Sequence, residues 1–464
     1  MMVVGFYVVQ REPHIAKIPL ENLDDIFHVE KGQFIGNDNE PFRVVGVNIG
    51  QWLVREGYLW ELGEHTGQTY KDNYAEYMIR DMLAHVIQNS NMSVDEFLEA
   101  YENAFITVDD IEYISSLGVN LIRIPFSEKD FSRTIALGKS VDEEFMYLDR
   151  ALAWCTQYKI YCLFDLHVAS SPQSTLSHAD SHGEALYWKD ASAQKQTQDF
   201  WGIIAQRYQS RAWLAGFDLL NEPQAPSDKA LSRWYAETVH SIRETGNSHT
   251  LFIQPNNISL NIASVLQDDD NSAYIPHYYG FGSKVVPENQ ILFDQKNNHS
   301  VAVAIGEVGN WANDWWAQHT DKYVVYRYFE HDIPVVYWTY KDMVAHTQES
   351  FGIVSGTTGP VYQQFKDALN NKEALPKNFP YSELFKSFKT VFPTDRPFVE
   401  QIILGMRLES SMNIPQIFNN SSVSSRSRPS DQMPTHGHAQ GRVNPYAQSF
   451  ARCDGLTVRE CFGW

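Results

Sequence analysis

Two glutamates, Glu222 and Glu307, each stand where an apolar segment of the chain gives way to a turn. Glu222 follows residues 214–220 within the sequence Asn-Glu-Pro, and the proline cannot donate to a sheet ladder, so strand pairing should end there. Glu307 follows residues 301–305 in the same layout, with a glycine on its amino side. A single loop glutamate is usually just solvated, but two with this layout predict a site where two carboxyl groups meet.

Two facing carboxyl groups suit the hydrolysis of a glycosidic bond. With retention of configuration, the reaction takes two carboxyl groups about 5 Å apart. One must stay protonated to donate to the leaving oxygen, and the other must stay ionised to attack the anomeric carbon. Repulsion from an ionised Glu307 should favour the protonated form of Glu222. The pair therefore predicts a β-glycosidase.

The carboxyl ends of other predicted strands carry side chains that suit the same reaction. Arg123 supplies a fixed positive charge and Tyr279 a hydroxyl donor, and both would stabilise an ionised Glu307. Asn221 could hold a sugar 2-hydroxyl, and Trp338 offers a flat apolar face with an indole N–H at its edge. The predicted substrate-binding set is Arg123, His167, Asn221, His277, Tyr279 and Trp338.

Each of these side chains also has an ordinary structural explanation. Arg123 could pair with a structural acid, His167 and His277 could be hydrogen-bonded core histidines, and Trp338 could be a core ring. Taken alone, each is more often structural than catalytic. Their occurrence together at successive strand ends, with two glutamates among them, favours a catalytic site.

Apolar strands and amphipathic helices alternate along the chain, and these elements must position the site. The alternation predicts an α/β fold, a (β/α)8 TIM barrel, whose working residues lie at the carboxyl ends of the strands. An open doubly wound sheet is the alternative, but no glycine-rich phosphate loop follows any strand. The predicted strands span residues 42–49, 120–126, 161–167, 214–220, 251–254, 273–275, 301–305 and 335–339.

Local signals define several boundaries. Thr107 with Asp110 predicts a capped helix that ends before Gly118, and residues 231–242 carry an apolar stripe with a helical period. A hairpin with its turn at residues 36–39 precedes the first barrel strand.

The barrel is expected to carry additions at three places along the chain. Beyond the N-terminal hairpin, the polar residues 60–105 predict an insertion after strand 1. Within the barrel itself, a helix is expected at 318–330. Residues 1–395 are the predicted catalytic barrel. Residues 396–464 are the predicted C-terminal extension, a largely disordered tail, because much of it is rich in Ser, Asn, Pro and Gln.

Composition and charge limit the partners. The chain of 464 residues has 57 acidic and 37 basic residues and a formal charge of −20, which argues against nucleic acid and anionic membranes and favours a neutral substrate. No apolar run approaches the roughly 20 residues of a membrane span.

Two carboxyl groups need no cofactor, and we expect none, nor a metal. The apolar start, residues 1–9, lacks a basic leader, which argues against a signal peptide and leaves compartment and oligomeric state open.

These residues together resemble glycoside hydrolase family 5, a cellulase-like family. Residues 46–54 and 106–110 are similar to its exo-β-1,3-glucanase branch. The resemblance implies a retaining mechanism with Glu222 as acid/base and Glu307 as nucleophile. Gln51 and residues 168–173 depart from the pattern of that branch beside the expected sugar site, so linkage and chain-end preference stay open. The motifs that carry the resemblance are Arg123-Ile-Pro, Asp-Leu-His167, Asn221-Glu222-Pro223, His277-Tyr-Tyr279, Gly306-Glu307 and Trp338.

Two other functions stay open from the sequence. A non-catalytic carbohydrate-binding barrel would keep aromatic sugar platforms, for which the candidates are Trp52, Trp60, Trp311, Trp315 and Trp316, but would not need both glutamates. A glycosidase acting on a glycolipid would keep both. Serine-based ester hydrolysis has no support, because the chain contains no Gly-x-Ser-x-Gly motif.

Overall fold

The structure is a computed structural model of the full chain. The residues it describes are 26–62, 65–66, 69–70, 74–136, 140, 143, 145–279, 285–309, 325, 328, 331–344 and 351–392. All of them belong to the first of two compact units, Met1–Ser411. The second unit, Met412–Trp464, lies outside the described residues, as do the apolar start, most of the predicted helix at 318–330 and the C-terminal extension.

Strands and helices alternate as predicted. The strands are β1 (His28–Glu30), β2 (Gln33–Ile35), β3 (Gly46–Asn48), β4 (His65–Thr66), β5 (Thr69–Tyr70), β6 (Leu121–Ser127), β7 (Tyr161–Val168), β8 (Leu214–Asp218), β9 (Thr250–Ile253), β10 (Ser272–Tyr274), β11 (His277–Tyr278), β12 (Ala302–Val303), β13 (Ile305–Val308), β14 (Val335–Tyr337), β15 (Lys341–Asp342) and β16 (Val354–Ser355). The helices are α1 (Glu76–Val86), α2 (Val94–Phe105), α3 (Val108–Ser116), α4 (Glu128–Ala136), α5 (Met146–Tyr158), α6 (Ala191–Arg207), α7 (Asp228–Glu244), α8 (Val285–His299), α9 (Pro360–Asn371) and α10 (Tyr381–Ser387).

The central sheet is a closed parallel barrel. It has ten strand segments in the order β11-β13-β14-β3-β6-β7-β8-β9-β10-β12. β10 and β11 are one strand interrupted at Ile275 and Pro276, and β12 and β13 are one strand interrupted at Ala304. Because β10 pairs with β12 and β11 pairs with β13, the two ends of the order are the same pair of neighbours. Eight strands therefore close on themselves, which confirms the (β/α)8 barrel.

The N-terminal hairpin packs against the barrel interior. Inward-facing residues such as Leu121, Leu163 and Ala302 form one buried cluster with Phe27 and Phe34. The Phe34 ring stacks on Phe252 of β9, with ring centroids 6.1 Å apart. The hairpin thus covers the end of the barrel where these strands begin, opposite the end where a site is expected.

The second layer of the core lies between the strands and the helices. The predicted stripe of α7 is buried throughout, and Trp234 and Tyr235 belong to this layer. Thr107 and Asp110 form the predicted capping box at the start of α3. Cys155 of α5 and Cys162 of β7 are buried free thiols in contact, as small core residues are.

Several details differ from the sequence prediction. The hairpin turn lies at Lys31 and Gly32, which both have positive φ as a type I′ turn requires, whereas residues 36–39 form a separate turn after β2. β8 ends at Asp218, two residues earlier than expected.

The chain after the barrel adds two helices that the sequence analysis did not assign. α9 and α10 pack on the insertion, where the Trp60 ring stacks on Phe388. Trp52 and Trp60 are fully buried, and their rings stack on Trp154 and Phe388, so both are core rings rather than sugar platforms. Trp311, Trp315 and Trp316 lie outside the described residues. Across the part of the chain that the structure describes, none of the helices combines the length and the apolar composition needed to span a bilayer.

Candidate active site

Glu222 lies in a tight turn directly after β8. Its backbone has φ +41°, in the left-handed region that a residue with a side chain seldom adopts. The Glu222 N–H donates to Gln254 Oε1 at 2.9 Å, and Asn221 N–H donates to the Leu166 carbonyl at 3.0 Å. These bonds to the neighbouring strands β7 and β9 hold the turn, so Glu222 is fixed at the end of the barrel.

Glu307 lies within β13, directly opposite His277 of β11 in the parallel register. The glycine before it makes this approach possible. A Cβ on Gly306 would lie 2.7 Å from Ile275 Cγ1 and 2.9 Å from His277 Nε2. The Gly306-Glu307 pair in the sequence therefore makes room for an imidazole beside a carboxyl group.

The structure brings the two predicted glutamates together. One oxygen of Glu222, one of Glu307 and one ring nitrogen of His277 lie within 4.8 Å of one another, and all three side chains are buried. His277 Nδ1 lies 2.8 Å from Glu222 Oε1 and 3.4 Å from Glu307 Oε2. The imidazole therefore bridges the two carboxyl groups.

Two donors hold the carboxylate of Glu307. Arg123 Nη1 donates to its Oε1 at 2.7 Å, and the Tyr279 hydroxyl donates to its Oε2 at 2.5 Å. These are the two side chains that the sequence analysis expected to stabilise an ionised Glu307. Charge-assisted bonds of this kind are about twice as strong as neutral ones.

Arg123 is also the counterion of two further buried acids. It lies 2.9 Å from Asp165 and 2.8 Å from Asp218. Burial raises the pKa of each aspartate to about 7 although the guanidinium acts in the opposite direction. Burial alone would lower the pKa of Arg123, but the three carboxylates raise it above its usual value. Arg123 therefore stays charged.

Asn221 and His167 form a hydrogen-bonded pair beside Arg123. Arg123 Nη2 donates to Asn221 Oδ1 at 2.8 Å, which orients the amide. His167 Nδ1 lies 2.7 Å from Asp165 Oδ2, and its Nε2 lies 3.4 Å from Asn221 Nδ2. The Asn221 NH2 group carries two N–H bonds, so one donor remains beside the contact with His167.

Trp338 follows β14 and is buried. Its ring stacks on His167, with centroids 5.8 Å apart and an interplanar angle of 10°. Its indole N–H donates to the Tyr58 hydroxyl at 2.8 Å. The structure thus places Trp338 at the site, with its indole N–H, the single polar group of the side chain, already hydrogen-bonded.

The histidines around the carboxyl pair are neutral at ordinary pH. Burial lowers the pKa of His167 and of His277 to about 3, and that of His178 to about 4. Neutral imidazoles can donate one proton and accept another, which suits them to hold carboxyl groups and hydroxyls in place.

Sequence reasoning missed two titratable groups of the site. Glu56 is buried, and burial followed by repulsion from Glu307 and Glu222 raises its pKa well above the usual value. His178 Nε2 lies 3.3 Å from Glu222 Oε2. Both are on loops after strands rather than at strand ends, so the strand-end pattern did not select them.

Gln51 and Gln173 lie in the two segments that depart from the exoglucanase pattern, and both have structural roles here. Gln51 has φ +66°, and its Oε1 accepts the Glu56 N–H at 2.7 Å. Gln173 Nε2 donates to the carbonyls of His167 at 2.7 Å and Asn221 at 3.0 Å. Gln173 therefore ties together the loops after β7 and β8.

Glu222, His277 and Glu307 are also the one set of three such donors close enough to hold a metal ion among the residues that the structure describes. Zinc takes nitrogen and carboxylate ligands of this kind. Both oxygens of Glu307 already accept bonds from Arg123 and Tyr279, however, and the adjacent guanidinium would repel a cation. The donor set therefore fits acid–base chemistry better than metal binding.

Comparison with known proteins places this geometry in a family. The sequence model of the family Cellulase (glycosyl hydrolase family 5) matches residues 63–344, which is more than half of the chain. The chain belongs to glycosyl hydrolase family 5. The predicted resemblance is thereby confirmed.

Individual relatives are more distant. The family 5 chain is 30% identical over 263 residues to a "Beta-xylosidase" of Phanerodontia chrysosporium, with 55% of this chain and 52% of the relative covered. It is 25% identical over 241 residues to a "Probable glucan 1,3-beta-glucosidase A" of Aspergillus fumigatus, with 51% and 55% covered. The chain thus spans about half the length of the curated relatives it matches. A crystal structure of an endogalactoceramidase shares the fold with a TM-score of 0.50 and 15% identity, covering 68% of this chain and 75% of that one.

Proposed function

We propose that this family 5 chain is a retaining β-glycosidase that hydrolyses O-glycosidic bonds by double displacement. The observation that carries the proposal is the approach of the Glu222 and Glu307 carboxyl oxygens to within 4.8 Å. Retaining enzymes place the two carboxyl groups about 5–5.5 Å apart, whereas inverting enzymes leave about 6.5–9.5 Å for a water molecule. The separation here favours direct attack by a carboxylate.

In the first step, Glu307 attacks the anomeric carbon while Glu222 gives its proton to the leaving oxygen. The glycosidic C–O bond breaks, and an ester bond forms between the sugar and Glu307. In the second step, Glu222 takes a proton from water, the water oxygen attacks the anomeric carbon and the ester breaks. Both glutamates return to their starting protonation states, so no cofactor is needed.

The remaining site residues would position the sugar and stabilise its charge. The Asn221 NH2 group would donate to the sugar 2-hydroxyl, a bond that strengthens as positive charge develops on the ring. Arg123 and Tyr279 would hold Glu307, and His277 would align both carboxyl groups. His167 and Trp338 would form one wall of the sugar site.

A neutral β-glucan or related β-glucoside is the proposed substrate. The formal charge of −20 disfavours acidic glycans. Within the site, Glu307, the carboxylate that the proposed mechanism keeps ionised, would repel a substrate carboxylate. The two curated relatives named above are a "Beta-xylosidase" and a "Probable glucan 1,3-beta-glucosidase A", which supports a neutral β-linked sugar.

The proposed catalytic unit is residues 1–395. The chain up to Val391 takes part in the fold, since Val391 bridges to Ser355 of β16. We therefore expect a chain that ends at residue 395 to keep the kcat/KM of the full chain, whereas a chain cut before α9 would lose it.

The test is to identify the nucleophile and the stereochemistry together. A 2-deoxy-2-fluoro-β-glucoside with a good leaving group should trap a sugar ester on Glu307, seen by mass spectrometry of the peptide. Proton NMR should show the β-anomer as the first product. Glu307→Gln should abolish turnover. Glu222→Ala should lose turnover and regain it when azide is added, with a β-glycosyl azide as the product.

Glu237→Gln on the solvent side of α7 is the matched control, since its side chain is 57% exposed, and it should behave like the parent. An α-anomer as first product, or labelling of another residue, would contradict the retaining mechanism. Binding of β-glucans without turnover by the unmodified chain would instead support a non-catalytic binding barrel.

A further inference from the structure

His178 lies near the carboxyl oxygen of the proposed acid/base that His277 does not contact. Its Nε2 lies 3.3 Å from Glu222 Oε2, whereas His277 Nδ1 lies 2.8 Å from Glu222 Oε1. The His178 side chain is only 11% exposed, and its Nε2 is buried with no hydrogen-bond partner among the described residues. A buried imidazole nitrogen without a partner is costly unless it serves a group that it faces.

The loop that carries His178 is anchored to the helices beside it. The carboxylate of Asp180 accepts the Tyr77 N–H at 2.7 Å and the Lys129 ammonium at 2.8 Å. Asp180 has φ +52°, and Ala179 beside it is fully buried. These contacts fix the backbone on the carboxyl side of His178, so the direction of its ring is set by the fold.

We propose that His178 is a positioning residue for Glu222, which holds the carboxyl group by its second oxygen for proton transfer to the leaving group. This inference rests on the proposed role of Glu222. A neutral His178 with its proton on Nε2 would donate to Glu222 Oε2 whenever Glu222 is ionised. With His277 on Oε1, two imidazoles would then fix the plane of one carboxyl group.

Leaving groups distinguish this role from general support of the loop. A phenyl β-glucoside needs protonation of its leaving oxygen, whereas a 2,4-dinitrophenyl β-glucoside does not. General acid catalysis contributes about 10²–10⁴-fold, so losing the alignment of the acid should cost about tenfold or more in kcat/KM. That loss should appear with the phenyl glycoside alone.

The experiment compares kcat/KM of the full chain and four variants on both glycosides. A Gln amide reaches the position of Nε2 and an Asn amide reaches only that of Nδ1. We therefore expect His178→Gln to stay within about threefold of the parent on both glycosides, and His178→Asn and His178→Ala to lose about tenfold or more on the phenyl glycoside only. His182→Ala is the matched control in the same loop, since His182 stacks on Tyr77, and it should match the parent.

Equal losses on both glycosides would overturn the proposal, because they would indicate a disturbed loop. No loss in His178→Ala, or a His178→Asn variant as active as His178→Gln, would overturn it too. Failure of the underlying function would look different. In that case the unmodified chain would turn over neither glycoside, or Glu222→Ala would match it on the phenyl glycoside.

Discussion

Tyr279→Phe removes one hydroxyl and leaves the ring, which makes it a clean test of how Glu307 is held. The Tyr279 hydroxyl donates to Glu307 Oε2 at 2.5 Å. A hydrogen bond to a charged group contributes about 1.5–3 kcal/mol. In the proposed mechanism, Glu307 is ionised in the free enzyme, neutral as the sugar ester, and about half charged in each transition state. The lost bond therefore raises the free energy of the free enzyme more than that of either transition state.

The two steps should then respond in opposite senses. Leaving the ester regenerates the carboxylate without its donor, so hydrolysis of the glycosyl-enzyme should slow by half of that bond energy, about 4- to 12-fold. Formation of the ester begins from a carboxylate that has lost its donor, so this step should not slow by the same factor.

With 2,4-dinitrophenyl β-glucoside, kcat should fall about 4- to 12-fold while kcat/KM does not fall, so KM should fall and a burst of phenolate should appear. Stopped-flow and steady-state kinetics of the parent and the variant measure all three quantities. Equal falls in kcat and kcat/KM with no change in KM would refute the reasoning.

Two further predictions concern space and buried charge. Gly306→Ala should push the His277 ring away from Glu307, because the Cβ of the alanine would lie 2.9 Å from His277 Nε2. We expect kcat/KM in the steady-state assay to fall at least tenfold. A variant with unchanged kinetics would contradict this. Burial lowers the pKa of Lys341 to about 7 although its ammonium donates to the carbonyls of Phe105 and Phe388. Between pH 7 and the ordinary pKa of lysine, the unfolded chain therefore binds a proton that the folded chain does not. The free energy of unfolding of the parent, measured relative to Lys341→Met by urea titration, should rise with pH in this range by up to about 1.4 kcal/mol per pH unit. A difference that is flat or falls with pH would count against it.

The barrel was predictable because its signals are local. Each apolar strand, the capping box at Thr107 and the stripe of α7 depend on residues close together in sequence. The hairpin turn was misplaced because Lys31 adopts a positive φ that its residue type does not announce, whereas the Asn-rich residues 36–39 look like a better turn. α9 and α10 were missed because their positions follow from packing on the insertion.

The rule that working residues lie at the carboxyl ends of strands selected each predicted site residue from its own strand alone. It could not show which side chains meet across strands, because that depends on the register of the closed barrel. Asp165 and Asp218 are the example, since the parallel register places them side by side on β7 and β8. Glu56 and His178 depend on how two long loops fold back over the barrel, and loop sequences carry no period that would place them.

That hidden pair of aspartates changes what Arg123 does for Glu307. An arginine paired only with Glu307 would stabilise its carboxylate strongly and so weaken it as a nucleophile. Here one guanidinium lies within 3 Å of three buried carboxyl groups, at 2.9 Å, 2.8 Å and 2.7 Å. At pKa values of about 7, each aspartate is only partly ionised at neutral pH, yet the two together still share the cation with Glu307. In the proposed mechanism, Glu307 is thereby held in place without a cation of its own to neutralise it, and its carboxylate retains the electron density that attack on an anomeric carbon requires.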